Sequence, residues 1–242
     1  MVIQLIFQTD DWSRLLLIFI IQPIIAILFC FLAYKVIRRN RNRGSLTLTA
    51  FYLVSASSLV SNTVFVIFSV FNELFFLYLF YYMTIYLLLF SPTFIVLFMN
   101  VLLKMEETFT NTKYIIILIS FALLCVLIFF FPDGFTLSSI NNYRPIYSVP
   151  FLIFLYIFIT VVILLPTGSY SLRFFKSIEA QNLKVKARYL IIGIFELIFT
   201  LYGTVLFNTW TNPIFRSIWA LLATFLLITS ALLIYYGIVQ NL

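Results

Sequence analysis

YLIIGIFELIFTLYGTVLFNTW, residues 189–210, is an apolar run of 22 residues that contains one formally charged side chain, Glu196. A helix of about 20 apolar residues crosses ~30 Å of hydrocarbon, so this run is long enough for one membrane crossing. Six further apolar runs have a comparable length: Leu15–Val36, Leu46–Phe71, Leu74–Leu103, Tyr114–Phe131, Pro150–Leu172 and Ser217–Val239. The sequence therefore predicts an all-α, polytopic membrane protein with seven transmembrane helices in a single domain, 1–242.

Composition supports the same class of protein. With 64% hydrophobic and 10% charged residues, the chain has too little polar surface to cover a soluble globule, so the lipid bilayer is its expected partner. The net charge of +7 comes from basic residues beside the apolar runs and not from one face of a soluble fold. We therefore expect no nucleic-acid partner.

The distribution of basic residues predicts the orientation in the membrane. Twelve Lys and Arg residues follow the first, third and fifth runs, whereas the other side has only Arg14, Arg144 and Arg216. Because Lys and Arg are retained on the cytoplasmic side, the N-terminus is expected outside and the C-terminus inside, in an integral protein of the cell membrane. Trp12, Trp210 and Trp219 would then lie at or near the outer interface as an aromatic belt.

Two connections stand out. Residues 132–149 form the longest outer connection and are the candidate for an outer lid. The inner connection, Ser171–Arg188, interleaves apolar side chains with cations, which favours a helical extension in the headgroup region. Its cations are predicted to contact anionic lipid or a cytoplasmic effector protein: Arg173, Lys176, Lys184, Lys186 and Arg188.

Several chemistries are excluded by residue type. The chain has no histidine, which removes His-dependent bases and zinc or haem ligands. The spans contain no aspartate, and the last span has no lysine for a retinal Schiff base. We therefore expect neither enzymatic activity nor a cofactor.

Polar residues recur on particular helix faces. In the sixth run, small and polar residues fall on one face at spacings of three and four: Gly193, Glu196, Thr200, Gly203, Thr204 and Asn208. The second run has a similar stripe of Ser55, Ser58, Asn62 and Ser69, and the third has Tyr86, Thr93 and Asn100. Such faces pack against other helices. The candidate ligand- or ion-binding residues are Glu196, Thr200, Asn208, Ser58, Asn62 and Asn100.

Glu196 has two interpretations. An acid at bilayer depth costs roughly 2.5 to 3.5 kcal/mol to insert, and no Lys or Arg in the spans offsets it. It is either an interhelical bonding group, with its likeliest hydrogen-bond donors on the second and third helices, or part of a site that senses or moves a ligand. Three prolines within runs, Pro23, Pro92 and Pro166, predict local helix distortions, and Pro166 is the most hinge-like.

A family resemblance adds an expectation about function. It rests on KARYLIIG (186–193), YGT (202–204), Asn208, NPIFR (212–216) and YYG (235–237). Through these motifs the chain resembles uncharacterised archaeal seven-helix membrane proteins and, more distantly, the seven-helix sensor module of membrane histidine kinases. The resemblance implies recognition of a stimulus between helices and an output through another chain.

Three functions remain open at this point. The first is a receptor-like or sensor-like protein that recognises a small-molecule or lipid ligand and signals to a separate cytoplasmic partner. The second is a transporter or channel that uses Glu196. The third is a structural subunit of a membrane complex.

Overall fold

The computed structural model describes residues 16–239, except 72, 109, 132 and 140–142, and omits the side chains of 70, 104–108 and 239. Within this part of the chain there are seven long helices and one short hairpin. The helices are α1 (Leu17–Arg39), α2 (Arg43–Phe71), α3 (Leu74–Thr108), α4 (Asn111–Phe130), α5 (Val149–Ser177), α6 (Gln181–Thr209) and α7 (Pro213–Val239). The hairpin strands are β1 (Phe135–Thr136) and β2 (Ile146–Tyr147).

All seven helices are long and apolar enough to cross a membrane, which confirms the all-α prediction and fits an integral membrane protein. Some of the residues used for the predictions of orientation and connections lie outside the described residues: Trp12, Arg14, Asn72, Pro132, Asn141 and Asn142.

The helices pack as two groups with α4 and α5 beside them. α2 lies along both α1 and α3, and α6 lies along α7. α5 contacts α3 and α6, whereas α4 contacts α3 and is the least buried of the seven. We call the end with the β-hairpin and the α6–α7 connection the hairpin end, and the opposite end the basic end.

At the basic end the helices continue beyond the predicted spans. α5 runs to Ser177 and α6 begins at Gln181, which leaves only residues 178–180 between them. The predicted helical character of this connection is confirmed, but it consists of the ends of two long helices and not of a separate element. The Arg188 guanidinium lies 5.8 Å from the centre of the Phe175 ring and links the two ends by a cation–π contact.

The β-hairpin covers the opposite end of the bundle. Phe135 pairs with Tyr147 across the two strands, and the Ser148 amide donates to the Gly134 carbonyl at 3.0 Å. The Phe135 ring lies 4.7 Å from the ring of Tyr81 and 4.9 Å from that of Tyr82, both on α3. The hairpin is therefore anchored to the bundle by aromatic packing.

The predicted local distortion is found at two of the three prolines, whereas Pro92 lies within the continuous helix α3. Wide π-helical turns, Leu17–Ile21 and Ile159–Leu164, precede Pro23 and Pro166 and make room for the proline rings.

Carbonyls near two of the prolines are satisfied by hydroxyl groups. Proline has no N–H to offer the preceding turn. The Ile18 carbonyl, five residues before Pro23, accepts from Thr63 Oγ1 at 3.3 Å. The Leu88 carbonyl, four residues before Pro92, accepts from Ser91 Oγ at 3.3 Å. Such bonds allow proline in membrane helices.

Candidate functional site

A cavity of about 300 Å³ lies between the two groups of helices. Its walls come from α1, α2, α3, α6 and α7, and the hairpin segment contributes Arg144, Pro145 and Tyr147. The lining of α6 runs from Leu197 to Asn208, a distance of ~16 Å along a helix axis. A site of this volume falls at the lower end of the range for small-molecule pockets, roughly 300 to 1,000 Å³.

Four of the six predicted binding residues line this cavity: Ser58, Asn62, Thr200 and Asn208. Asn62 Nδ2 donates to Gln22 Oε1 at 3.0 Å, which joins α2 to α1. Ser58 Oγ donates to the Thr84 carbonyl at 3.1 Å, which joins α2 to α3. The polar faces of α2 and α6 thus meet across one space, although each was recognised only as a stripe on its own helix.

Glu196 does not belong to the lining of the cavity. Its Oε2 accepts from Thr229 Oγ1 at 3.0 Å, so the donor is on α7. The expectation that the second and third helices supply this donor is wrong, because α6 turns this part of its polar stripe toward α7. The geometry fits the interhelical interpretation of the acid.

Asn100 also lies away from the cavity. It is 5% exposed on the basic half of α3, and its Oδ1 has no hydrogen-bond partner among the described residues. Thr93 on the same helix and Thr167 and Ser171 on α5 are also buried, and their hydroxyls have no hydrogen-bond partner among the described residues. None of these four residues lines the cavity.

The α6–α7 seam depends on glycine. A Cβ at Gly193 would lie 2.8 Å from the Ser230 carbonyl oxygen, and one at Gly203 would lie 1.7 Å from Trp219 Cζ2. Trp219 is therefore a packing residue and is only 7% exposed, whereas Trp210 is 51% exposed. The predicted aromatic belt fits Trp210 but not Trp219.

Arg216 also lines the cavity. In the sequence it stands out only as one of the three cations on the side predicted to lie outside. α7 begins at Pro213, four residues earlier than predicted, because the Asn212 side chain accepts from the amides of Ile214 at 2.9 Å and Phe215 at 3.1 Å. Arg216 thus lies in the first turn of α7. Its Nε donates to the Trp210 carbonyl at 3.0 Å, and its guanidinium lies 5.5 Å from the Phe207 ring centre.

A second arginine and a tyrosine network complete the hairpin end of the cavity. Tyr81 Oη donates to Tyr147 Oη at 2.8 Å, and Asn208 also hydrogen-bonds to Tyr147. Burial raises the pKa of Tyr147 to about 12, so this phenol is neutral at physiological pH. Burial, and to a smaller extent the nearby Arg216, lowers the pKa of Arg144. A guanidinium remains charged despite such a shift. The signal that could have identified both arginines was their exceptional position on the side predicted to have few cations.

The described residues contain no group of three or more Cys, Asp or Glu side chains that could hold a metal ion. No family model, curated protein or solved structure matches the chain. The fold and the site thus define a seven-helix chain, apolar enough to cross a membrane, with a cavity near one end that a few polar side chains line.

Proposed function

We propose that the chain is a receptor-like or sensor-like integral membrane protein that binds a small ligand in the cavity between α1–α3 and α6–α7. The observation that carries the proposal is the convergence of Ser58, Asn62, Thr200 and Asn208, from two helices, on one cavity. Pockets with a few convergent polar groups are the usual sites of small-molecule recognition. The proposed orientation keeps the N-terminus and the hairpin end outside the cell membrane.

The two helix groups provide a route for a signal. α6 lines the cavity from Leu197 to Asn208 and continues without a break to Gln181 at the basic end. Close packing at Gly193 and Gly203 holds α6 against α7, so that the pair moves as one unit. On α2, Tyr52 Oη donates to the Ala231 carbonyl of α7 at 2.9 Å and ties this unit to the other group. A ligand that changes the spacing of the groups would move the basic end of α6.

The basic end is the proposed output surface. Arg173, Lys176 and Arg188 are exposed there, and Lys184 and Lys186 are partly buried. The cation–π contact between Arg188 and Phe175 couples α6 to α5, so a shift of α6 would also rearrange the cations of α5. Anionic headgroups and an acidic surface of a cytoplasmic effector are the proposed contacts.

The transporter alternative loses its main support at Glu196. Its carboxylate is engaged by Thr229 and does not line the cavity, so the acid does not face a path through the bundle. A structural subunit would use exposed apolar side chains, such as Phe75 and Phe130, to contact other subunits, but these side chains are equally suited to lipid. Both alternatives therefore rank below ligand recognition.

The proposal can be tested by blocking the cavity. Protein in lipid nanodiscs is screened for metabolites and lipids that raise its Tm, since a ligand at 100 times its Kd stabilises the folded state by about 2.7 kcal/mol. Thr204→Phe fills the cavity from α6, whereas Ile192→Phe makes a similar change on the exposed face of the same helix. We expect the Tm increase to vanish in Thr204→Phe and to persist in Ile192→Phe. A screen with no active compound, or increases that survive in both variants, would refute the proposal.

The output surface is tested separately. A photo-crosslinking residue at position 184 is expected to capture one cytoplasmic protein, and ligand is expected to change its yield. The same residue at position 218, on the exposed face of α7 at the hairpin end, is the control. Capture confined to lipid at position 184 would assign the basic residues to membrane anchoring.

A further inference from the structure

The walls of the cavity offer few hydrogen-bond donors away from the hairpin end. Six of its hydroxyl groups donate to backbone carbonyls: Ser58 to Thr84, Ser91 to Leu88, Thr84 to Phe80, Thr200 to Glu196, Thr204 to Thr200 and Thr224 to Ala220. A hydroxyl has a single donor, so these side chains present mainly weak acceptors and methyl groups. Ile25, Phe29, Leu197 and Leu227 supply the apolar surface between them.

The hairpin end has the opposite character. Arg144 and Arg216 both line it, and each guanidinium provides five N–H donors in a planar fork. Among the described residues, no Asp or Glu lines the cavity. Nη2 of Arg216 is buried without a hydrogen-bond partner in the described part of the chain, and so is the indole N–H of Trp219. The cavity therefore has a cationic, donor-rich end and an apolar remainder.

We propose that the cavity binds a single-chain amphiphile with an anionic head, a carboxylate or a phosphate, between Arg144 and Arg216, and with its hydrocarbon tail toward Phe29 and Leu197. This proposal rests on the proposed function, because it names the chemical class of the ligand for the same cavity. Arginine forks match the geometry of carboxylate and phosphate oxygens and bind them by charge-assisted hydrogen bonds.

The fixed orientation of the Arg216 guanidinium supports this assignment. Its Nε bond to the Trp210 carbonyl and its position over the Phe207 ring fix the plane of the guanidinium before any ligand arrives. A guanidinium that is already oriented loses less conformational entropy on binding. The site thus favours an anion at a defined position.

The volume limits the length of the tail. A cavity of about 300 Å³ is at the lower end of the range for small-molecule pockets, so a single chain of medium length is the size of ligand to test first. Decanoate is a probe of this size.

Trp219 provides a reporter at the head of the site. Trp12→Phe/Trp210→Phe leaves it as the only one of the three tryptophans and keeps the backbone carbonyl of residue 210 that holds Arg216. Bromine quenches indole fluorescence at short range, so 2-bromodecanoate carries a quencher next to its carboxylate. In phosphatidylcholine nanodiscs we expect saturable quenching that decanoate reverses, with 2-bromodecan-1-ol binding at least tenfold more weakly.

Charge variants test the arginine pair. Arg144→Gln and Arg216→Gln are each expected to weaken binding of 2-bromodecanoate at least tenfold and to leave binding of the alcohol unchanged. Arg216→Lys keeps the charge but not the planar fork, so its affinity for 2-bromodecanoate is expected to lie between those of Arg216→Gln and the unsubstituted protein. It replaces Arg216→Gln as the test if that variant does not fold. Arg39→Gln removes an exposed cation at the basic end that belongs to neither proposed site, and it should change neither affinity.

The outcomes separate this proposal from the proposed function. Equal affinities for the acid and the alcohol, or arginine variants that retain full affinity, would overturn the anionic ligand and leave the cavity as a binding site. Absence of any saturable quenching would overturn both. A tenfold gain in the affinity for 2-bromodecanoate in Asp10→Asn/Asp11→Asn would mean that the chain's own carboxylates bind the arginine pair, which would also overturn the proposal.

The source of the anion is resolved by the composition of the nanodisc. If phosphatidylglycerol lowers the occupancy of the probe relative to phosphatidylcholine alone, a bilayer headgroup supplies the anion. If it does not, while free decanoate still competes, the ligand is a free single-chain acid. The second result supports the proposal as stated. The first keeps the anionic head but overturns the single-chain ligand, because phosphatidylglycerol has two chains.

Discussion

Gly203→Ala tests the seam on which both the stability and the shape of the cavity depend. A Cβ at this position would lie 1.7 Å from Trp219 Cζ2, 2.0 Å from Cη2 and 2.4 Å from Cε2. Ordinary contact begins at 3.4 Å, so the indole and α6 must separate by about 1.7 Å. The Trp219 ring already packs against Phe199 and Phe215, and the free side is the cavity that it lines. We therefore expect the indole to move into the cavity.

The magnitude follows from two opposing effects. Overpacking a well-filled interior costs typically about 1–3 kcal/mol. Replacing glycine by alanine inside a helix stabilises the folded state by about 0.5–1 kcal/mol. The expected net loss is about 1–2 kcal/mol. For a chain of this size that lowers the Tm by roughly 2–8 °C.

The assay is thermal unfolding in nanodiscs with matched variants. At Gly168 the nearest atom to an added Cβ is Phe195 Cζ at 4.0 Å, so Gly168→Ala should raise the Tm by roughly 1–4 °C. Trp219→Leu should relieve the clash, so the double variant with Gly203→Ala should be more stable than the sum of the single losses by about 1 kcal/mol or more. Equal stabilities of Gly203→Ala and Gly168→Ala, or additive losses in the double variant, would refute the packing of Trp219 on α6.

Three further outcomes test individual contacts. Glu196→Gln keeps an oxygen for Thr229 and should cost less than about 0.5 kcal/mol in steric-trap unfolding, whereas Thr229→Val should cost about 0.6–1.7 kcal/mol; a larger loss in Glu196→Gln would contradict a purely interhelical role. By the same measurement, Thr167→Val should be neutral or stabilising by up to about 1 kcal/mol because its buried hydroxyl has no partner among the described residues, whereas Ser58→Ala should cost about 1 kcal/mol. Burial raises the pKa of Tyr147 from 10 to about 12, so its stabilisation is complete below pH 10 and is lost as the pH rises to 12, by up to roughly 2–3 kcal/mol. The Tm of the unsubstituted protein should fall more steeply in this window than that of Tyr147→Phe.

Most of the fold was predictable because a membrane-spanning helix needs only length and apolarity. All seven runs became helices, but α1 to α6 extend past their apolar runs at the basic end and α7 begins four residues before its run, since the apolar signal stops where polar helical turns begin. Asn212 and Pro213 show why: a side-chain cap and a proline at the first helical position start α7 before the apolar run. Similarly, α6 begins at Gln181, within a stretch whose polar residues conceal the helix from an apolar-run criterion.

The sequence predicts the polar face of each helix, but it does not predict which of these faces meet to form the cavity. Periodicity assigns Thr200 and Glu196 to the same face of α6, yet one lines the cavity and the other bonds to α7. Which neighbour a face meets depends on the packing of helices distant in sequence, and no spacing rule contains that information. Arg216 was missed for a local reason: its side chain reaches the Trp210 carbonyl only because the cap at Asn212 turns it inward.

The polar stripe of α6 thus has two roles: one part packs against α7, and the other part lines the cavity. Its glycines, Gly193 and Gly203, bring α7 into contact, and Glu196 adds a hydrogen bond across the same seam. Its hydroxyl and amide residues, Thr200, Thr204 and Asn208, lie farther round the helix and face the cavity. Because α6 and α7 are bound through one part of the stripe, a force on the other part is transmitted to both helices. In the proposed function, Glu196 would act indirectly, by holding together the pair of helices that a ligand would move.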